Sequence, residues 1–417
     1  MISVIKAGLL IDGTGSPPVR DTTLIVENGR IKEIAHNTAA IPPGATVYDA
    51  SAYNVIPGLI DIHTHLGYPS VSSLVLFRVG TPPTLAVLYA AQSAQASLAA
   101  GFTTLRTMGG PEFVSLRQAI DQGLLPGPRL VIAGIVAMSG GHTDRLYPPN
   151  YSRGSDHTAD GVDEICQRVR QFVRNGVDVI KVEATGGMIA DGDTPDIQGY
   201  SFQELVAAAE AAHGLGKRLA VHAHSAEGVR NAAEAGADTI EHCTWADEQA
   251  LELVARKNVF ITATCSIVED SIRRFEQASQ LPPDIDRRRA ALEGKLRMLA
   301  NARKLGVKVA LGTDACGVSV HHGQNALEFE LLCRAGFTPM ESLLAGTRVA
   351  AEALGLGDQV GTLEVGKQAD LVVTRSNPLQ DITSLQNQSN VLQVFKGGQL
   401  LVDRLSEPGK AWLRWSM

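Results

Sequence analysis

The chain has no C-x-x-C pair. Its five cysteines, Cys166, Cys243, Cys265, Cys316 and Cys333, are an odd number scattered over 417 residues. This excludes a zinc ribbon or a disulfide framework and leaves reduced thiols as the simplest reading. Long Lys/Arg clusters are also missing, and the formal charge is −7. A general binder of phosphate backbones needs a concentrated cationic face, so nucleic acid is not an expected partner. No segment approaches the roughly 20 apolar residues that cross a bilayer, so no membrane partner is expected. The start, MISVIKAGLLIDGTG, lacks the positive residues, sustained apolar run and cleavage site of a secretory signal, and a cytoplasmic protein is expected. What is present is ordinary for a globular chain with a substantial core, at 44% hydrophobic and 19% charged residues. One α/β barrel absorbs about 250 residues, so a large domain with a smaller one is the starting expectation.

From residue 58 onward, short β-branched runs alternate with longer Ala/Leu/Glu/Arg-rich segments, the pattern of repeated βα units around a parallel sheet. Eight candidate strands stand out: GLIDIHTH, FTTLRTMG, RLVIAGI, VDVIKVEATG, RLAVHAH, DTIEHCT, VFITATC and KVALGTDA. Eight is the number that closes a (β/α)₈ TIM-type barrel. Residues 1–57 read instead as short strands broken by DG, NG and PPG turns, and residues 362–417 repeat that style in GTLEVGKQADLVV and VLQVFKGGQLLV. The expected architecture is a barrel over 58–361 with a small β-sandwich formed from both chain ends. Independent β extensions are the alternative.

Polar residues at the carboxyl ends of barrel strands point to the face where such enzymes work. His63 and His65 end the first strand, and their i, i+2 spacing puts both imidazoles on one side of it. Alone, an H-x-H pair is equally compatible with a structural role. Lys181 lies late in an apolar strand, where an unpaired ammonium is expensive to bury. Either a salt bridge with Glu183 or another carboxylate relieves that cost, or the neutral amine reacts with carbon dioxide to give a carbamate able to bridge two metals. His222 and His224 end the fifth strand, His242 the sixth, and Asp314 follows VALGT at the eighth. Compatible ligands at the ends of four strands make a constellation suited to zinc, in which an aspartate also accepts a proton. Arg106, on the second strand, is placed to meet a substrate carboxylate or to form a structural ion pair. Cys243, Cys265 and Cys316 also fall at strand ends. They are read as small reduced core residues, with thiolate ligation the alternative. His321 and His322, beyond Asp314, are candidates for the entrance.

The motifs PGLIDIHTH, VIKVEATGG, VHAHSAEGVRNAAEAGADTIEH, LGTDA and GTLEVGKQADLVV, in this order over nearly the whole chain, resemble those of the amidohydrolase superfamily. GFTTLRTMGG, GPRLVIAG, SGGHTD and the HAH strand further resemble the branch of metal-dependent Xaa-Pro and Xaa-Arg/Lys dipeptidases, with imidazolonepropionases as more distant relatives. The resemblance implies that His63, His65 and Asp314 hold the first of two divalent ions, with zinc favoured. It implies that His222 and His242 hold the second and that carboxylated Lys181 bridges them. His222 is chosen over His224 because the family places this ligand twenty positions before the next ligand histidine, here His242. His224 is left for substrate, at a position that is often tyrosine in related dipeptidases. His142 in SGGHTD matches a position near bound substrate, the alternative being a loop histidine held by Asp144.

The implied reaction is amide hydrolysis by a metal-bridging hydroxide, because coordination lowers the pKa of water toward about 7. Asp314 moves the proton to the leaving nitrogen, and the second metal with His224 or His142 stabilises the oxyanion. The expected substrate is a small amide, a dipeptide or N-acyl amino acid of the Xaa-Pro or Xaa-Arg/Lys type. Asp191, Asp193 and Asp196 favour a cationic residue there or form a solvated acidic loop. Two other readings are an amidase of aryl, xenobiotic or cyclic amides, and an inactive barrel used as a binding scaffold. All six ligand positions are filled, which weighs against the scaffold. No organic cofactor is called for, and a homo-oligomer is compatible with the sequence.

Overall fold

The β-branched runs at the two ends of the chain find each other. In the computed structural model, which describes residues 2–36, 40–68, 79–148, 158–188, 192–278, 281–317 and 320–405, the first four strands are β1 (Ile2–Leu10), β2 (Val19–Glu27), β3 (Arg30–His36) and β4 (Thr46–Pro57). The Asn28-Gly29 turn between β2 and β3 has φ of 51° and 80°, a conformation that Asn and Gly adopt most easily. Eight parallel strands follow: β5 (Leu59–Thr64), β6 (Phe102–Gly109), β7 (Arg129–Ile135), β8 (Val179–Glu183), β9 (Arg218–Ser225), β10 (Thr239–Trp245), β11 (Phe260–Thr262) and β12 (Lys308–Val309). The last three are β13 (Leu371–Thr374), β14 (Val391–Lys396) and β15 (Gln399–Asp403).

Strand β4 joins the ends, pairing parallel with β1 and antiparallel with β13 in a seven-stranded sheet of order β15-β14-β13-β4-β1-β2-β3. Both arms fill one core: Ile5, Leu24 and Ile31 from one, Leu371, Leu392, Phe395 and Leu400 from the other. Independent extensions are therefore excluded in favour of the small sandwich.

Strands β5 to β12 are neighbours in chain order, and the ring closes between its first and last members. Ile62 N donates to Leu311 O at 3.0 Å, Asp314 N to His63 O at 2.8 Å and His65 N to Ala315 O at 2.8 Å. This is a (β/α)₈ barrel. Side-chain parity decides what each strand contributes. On β9, Leu219, Val221 and Ala223 belong to the apolar layer between strands and helices, whereas Ala220 belongs to the inner layer and His222 and His224 continue its parity toward the mouth. Helices cover the outside. Ser201 and Glu204 form a reciprocal capping box that starts Phe202–His213, and Gly236 at φ 99° ends Ala226–Ala235. Among the described residues, no helix is long and apolar enough to cross a membrane.

Candidate active site

Strand parity alone would not assemble the site. On β10, Thr239 and Glu241 meet Arg106 in the barrel interior, so His242 should face outward. It does not, because His242 and Cys243 adopt φ of 77° and 48° and the β9–β10 register shifts beyond His242. This left-handed step turns the imidazole into the cavity. Thr264 (51°) and Asp314 (59°) lie in the same region at the ends of their strands. Such backbone is costly for residues other than glycine and persists where the surroundings over-determine it, typically at functional sites.

The structure brings together most of the residues singled out from the sequence. Donor atoms of His63, His242 and Asp314 lie within 4.8 Å of one another, as do nitrogens of His222, His224 and His242. His65 Nε2 is 3.1 Å and His63 Nε2 3.7 Å from Asp314 Oδ1. Outer contacts set the rings: His63 Nδ1 donates to Glu241 Oε2 at 2.7 Å, His242 Nδ1 is 2.8 Å from Thr264 Oγ1, and His224 Nδ1 is 2.7 Å from Thr244 Oγ1. In each case the other ring nitrogen is left for the cluster, the usual way a protein orients metal-binding imidazoles.

Charge is tuned to match. Burial, with Lys181 nearby, lowers the His63 pKa to about 4, and burial also carries His222, His224 and His242 well below the ordinary histidine value. They are neutral bases at physiological pH. Burial pushes the Asp314 carboxyl up, but His63, the hydrogen bond from His65 and Lys181 outweigh it and hold the pKa at about 2. Neutral imidazoles around an ionised carboxylate are a donor set that fits divalent metal. Lys181 is 5% exposed, and burial brings its pKa down to about 8. Among the described residues it has no hydrogen bond or ion pair, and Glu183 instead accepts from the backbone N–H and hydroxyl of Thr143. The Lys181–Glu183 salt bridge does not form.

His142 borders the cavity and stacks on His222 at 4.5 Å. Its Nδ1 donates to Asp193 Oδ2 at 2.8 Å, whereas Asp144 accepts from Gly140 N, so Asp193 and not Asp144 holds this histidine. A Cβ at Gly187 would lie 2.1 Å from the His142 ring, which explains that glycine of the ATGG segment. Asp193 Oδ2 thereby serves His142 and the Gly187 N–H while its Oδ1 has no partner among the described residues, Asp196 is exposed and Asp191 lies outside the described residues. His224 is 4% exposed and grouped with His222 and His242, but it is not among the residues bordering the cavity. His322 is 3.2 Å from His65 O, and neither it nor His321 borders the cavity. Cys243 and Cys265 are buried with pKa values raised by burial, and Cys316 borders the cavity. No cysteine joins either ligand group among the described residues.

Arg106 takes the second of its two readings, the structural ion pair and not the substrate contact. It is 1% exposed, and its guanidinium reaches Ile62 O, Thr239 Oγ1 at 3.0 Å and Glu241 Oε1 at 2.7 Å, all inside the barrel. It forms the structural ion pair and does not border the cavity. Burial raises the Glu241 pKa, but Arg106 and the hydrogen bond from His63 outweigh it and leave the carboxyl ionised. Glu241 was not singled out from the sequence; a carboxylate one position before a candidate ligand histidine in a barrel strand was the signal. Breaking a buried pair strands the other charge, so Arg106→Met should cost about 3–5 kcal/mol of stability in denaturant unfolding. Unchanged stability with a raised KM would return Arg106 to substrate binding.

The histidine cavity, about 70 Å³, adjoins a cleft of about 1040 Å³. Both are bordered by His65, Tyr68, Met108, Ile135 and Thr143. The profile of the amidohydrolase family matches residues 54–401. An ochratoxinase of Aspergillus niger is 30% identical, over 96% of this chain and 86% of its own. An imidazolonepropionase of Cupriavidus necator is 25% identical, over 94% and 93%. The crystal structure of a Xaa-Pro dipeptidase with methionine bound in its active site superposes with a TM-score of 0.87 at 32% identity, covering 96% of this chain and 99% of that one.

Proposed function

This chain belongs to the amidohydrolase family, and from that premise we propose a binuclear metal-dependent amide hydrolase whose two divalent ions are held by His63, His65, His222, His242, Asp314 and a carboxylated Lys181. Lys181 carries the reading. A buried amine with a lowered pKa and no acceptor among the described residues, set amid neutral imidazoles, has reason to become a carbamate. Nitrogen and carboxylate donors favour zinc. Bound there, the metals would polarise the amide carbonyl and make a nucleophile of water near neutral pH. Asp314, ionised and hydrogen-bonded to His65, takes the proton from the attacking water and delivers it to the leaving nitrogen. His142, held by Asp193 through Nδ1, turns its Nε2 edge to the substrate, and His224 assists from behind His242.

A dipeptide or N-acyl amino acid is the proposed substrate, supported by the likeness to the Xaa-Pro dipeptidase. A second reading, a bulkier aryl or cyclic amide, is favoured by the cleft beside the histidines, whose border includes Val79, Pro83, Met108, Phe113 and Phe172. The test is elemental analysis with kinetics. Two transition metals per chain are expected, with turnover lost on chelation. His222→Asn should lose metal, whereas His224→Asn should keep most of it and lower kcat/KM to a degree that depends on substrate. A fully active metal-free chain would sink the proposal, and an exchange of the two phenotypes would move the ligand to His224.

A further inference from the structure

Glu183, a buried residue bordering the histidine cavity, has no part in the chemistry above. Glu183 is 1% exposed and shares the parity of Lys181 on β8, about 7 Å farther along the strand toward the mouth. Its Oε1 is engaged by Thr143, whereas its Oε2 has no hydrogen-bond partner, although the residue borders the histidine cavity. A buried carboxylate oxygen without a partner is expensive, so this arrangement calls for a donor. The wall beside it is kept clear. A Cβ at Gly141 would lie 2.9 Å from Oε2 and 3.0 Å from Met138 O. The φ of Gly141 is outside the left-handed region, so space and not conformation accounts for the glycine.

The charged neighbours do not satisfy Oε2. Lys181 forms no ion pair with it, and the His142 Nδ1 proton is committed to Asp193. Asp314 has the wrong sign and is held by His65. Among the described residues, then, no donor reaches Oε2. We propose that Glu183 Oε2 receives the α-ammonium of the substrate, so that the enzyme prefers dipeptides and aminoacyl amides with a free amino terminus over N-acyl or aryl amides. That nitrogen is two bonds from the scissile carbonyl carbon, and Glu183 borders the same cavity as the proposed metal ligands. The proposal rests on the amide-hydrolase reading and narrows its substrate class.

The experiment compares leucyl-proline with N-acetyl-leucyl-proline on metal-loaded wild type, Glu183→Gln and Gly141→Ala. Glutamine keeps an acceptor for Thr143 and removes the charge, and the alanine methyl crowds Oε2 while leaving residue 183 a carboxylate. Wild type should favour the free amine by about tenfold or more in kcat/KM, the scale of a lost charged hydrogen bond. Both variants should bring that ratio close to one. An unchanged ratio in Glu183→Gln, or a wild type that prefers the acetylated peptide, overturns the site while leaving amide hydrolysis standing. If a chain with two metals turns over neither peptide, the substrate class itself falls, and calorimetry with leucinamide and N-acetyl-leucinamide decides the Glu183 site separately. Binding of leucinamide to wild type but not to Glu183→Gln supports it; equal binding, or none, removes it.

Discussion

Asp314→Asn should lower kcat by about 10²–10⁴-fold, the usual loss when an acid–base group is removed, without unfolding the protein. The fold should survive because the closing bond at this residue comes from its backbone N–H to His63 O, which asparagine keeps. Asparagine also tolerates the left-handed φ of 59° better than most residues. What disappears is the ionised carboxylate that His63, His65 and Lys181 hold at a pKa of about 2. The amide cannot carry a proton from water to the leaving nitrogen, and it is a poorer metal donor. The measurement is steady-state kinetics together with metal content and a thermal melt. A folded Asp314→Asn with kcat near wild type would remove Asp314 from proton transfer.

Lys181→Ala should lose metal and with it more turnover than the roughly 10–100-fold that even an outer-shell partner costs. On the proposed reading, the alanine removes the carbamate oxygens that would join the two metal positions held by His63, His65, Asp314, His222 and His242. Short carboxylic acids such as acetate or propionate should restore part of the activity by filling the vacancy with two oxygens, and they should do nothing for wild type. Full metal content and activity in Lys181→Ala would exclude a bridging role. So would density for an unmodified ammonium at Lys181 in a metal-loaded, active crystal.

The legible parts of this protein were those governed by short-range periodicity or by residue type. The eight strand motifs were readable because parallel barrel strands are β-branched and separated by helix-forming segments, and because side chains alternate every two residues. The same parity put His63 with His65 and His222 with His224. Parity alone would have turned His242 outward, but the left-handed backbone at His242 and Cys243 breaks the alternation, and no propensity marks such a step in advance. His142 was found, but the only partner weighed for it, in the alternative reading, was Asp144, two positions away in the chain, whereas the loop folds to bring Asp193 from 51 positions away.

The sequence by itself determined the ligand types and the strand ends that carry them, since the identity of a histidine or carboxylate and its place in a β period are local properties. It also determined that both chain ends are strand-forming. Only the tertiary structure decided which polar groups neutralise one another. Arg106 and Glu241 are 135 positions apart, and their ion pair exists because ring closure places β6 and β10 across a narrow interior where neither charge can stay unpaired. Lys181 and Glu183 are two apart on one strand and yet do not pair: Thr143 draws the Glu183 carboxylate aside and leaves the amine among the imidazoles. Burial then shifted His63, Lys181, His222 and His242, by desolvation that depends on what surrounds each side chain in space and not on its neighbours in the chain.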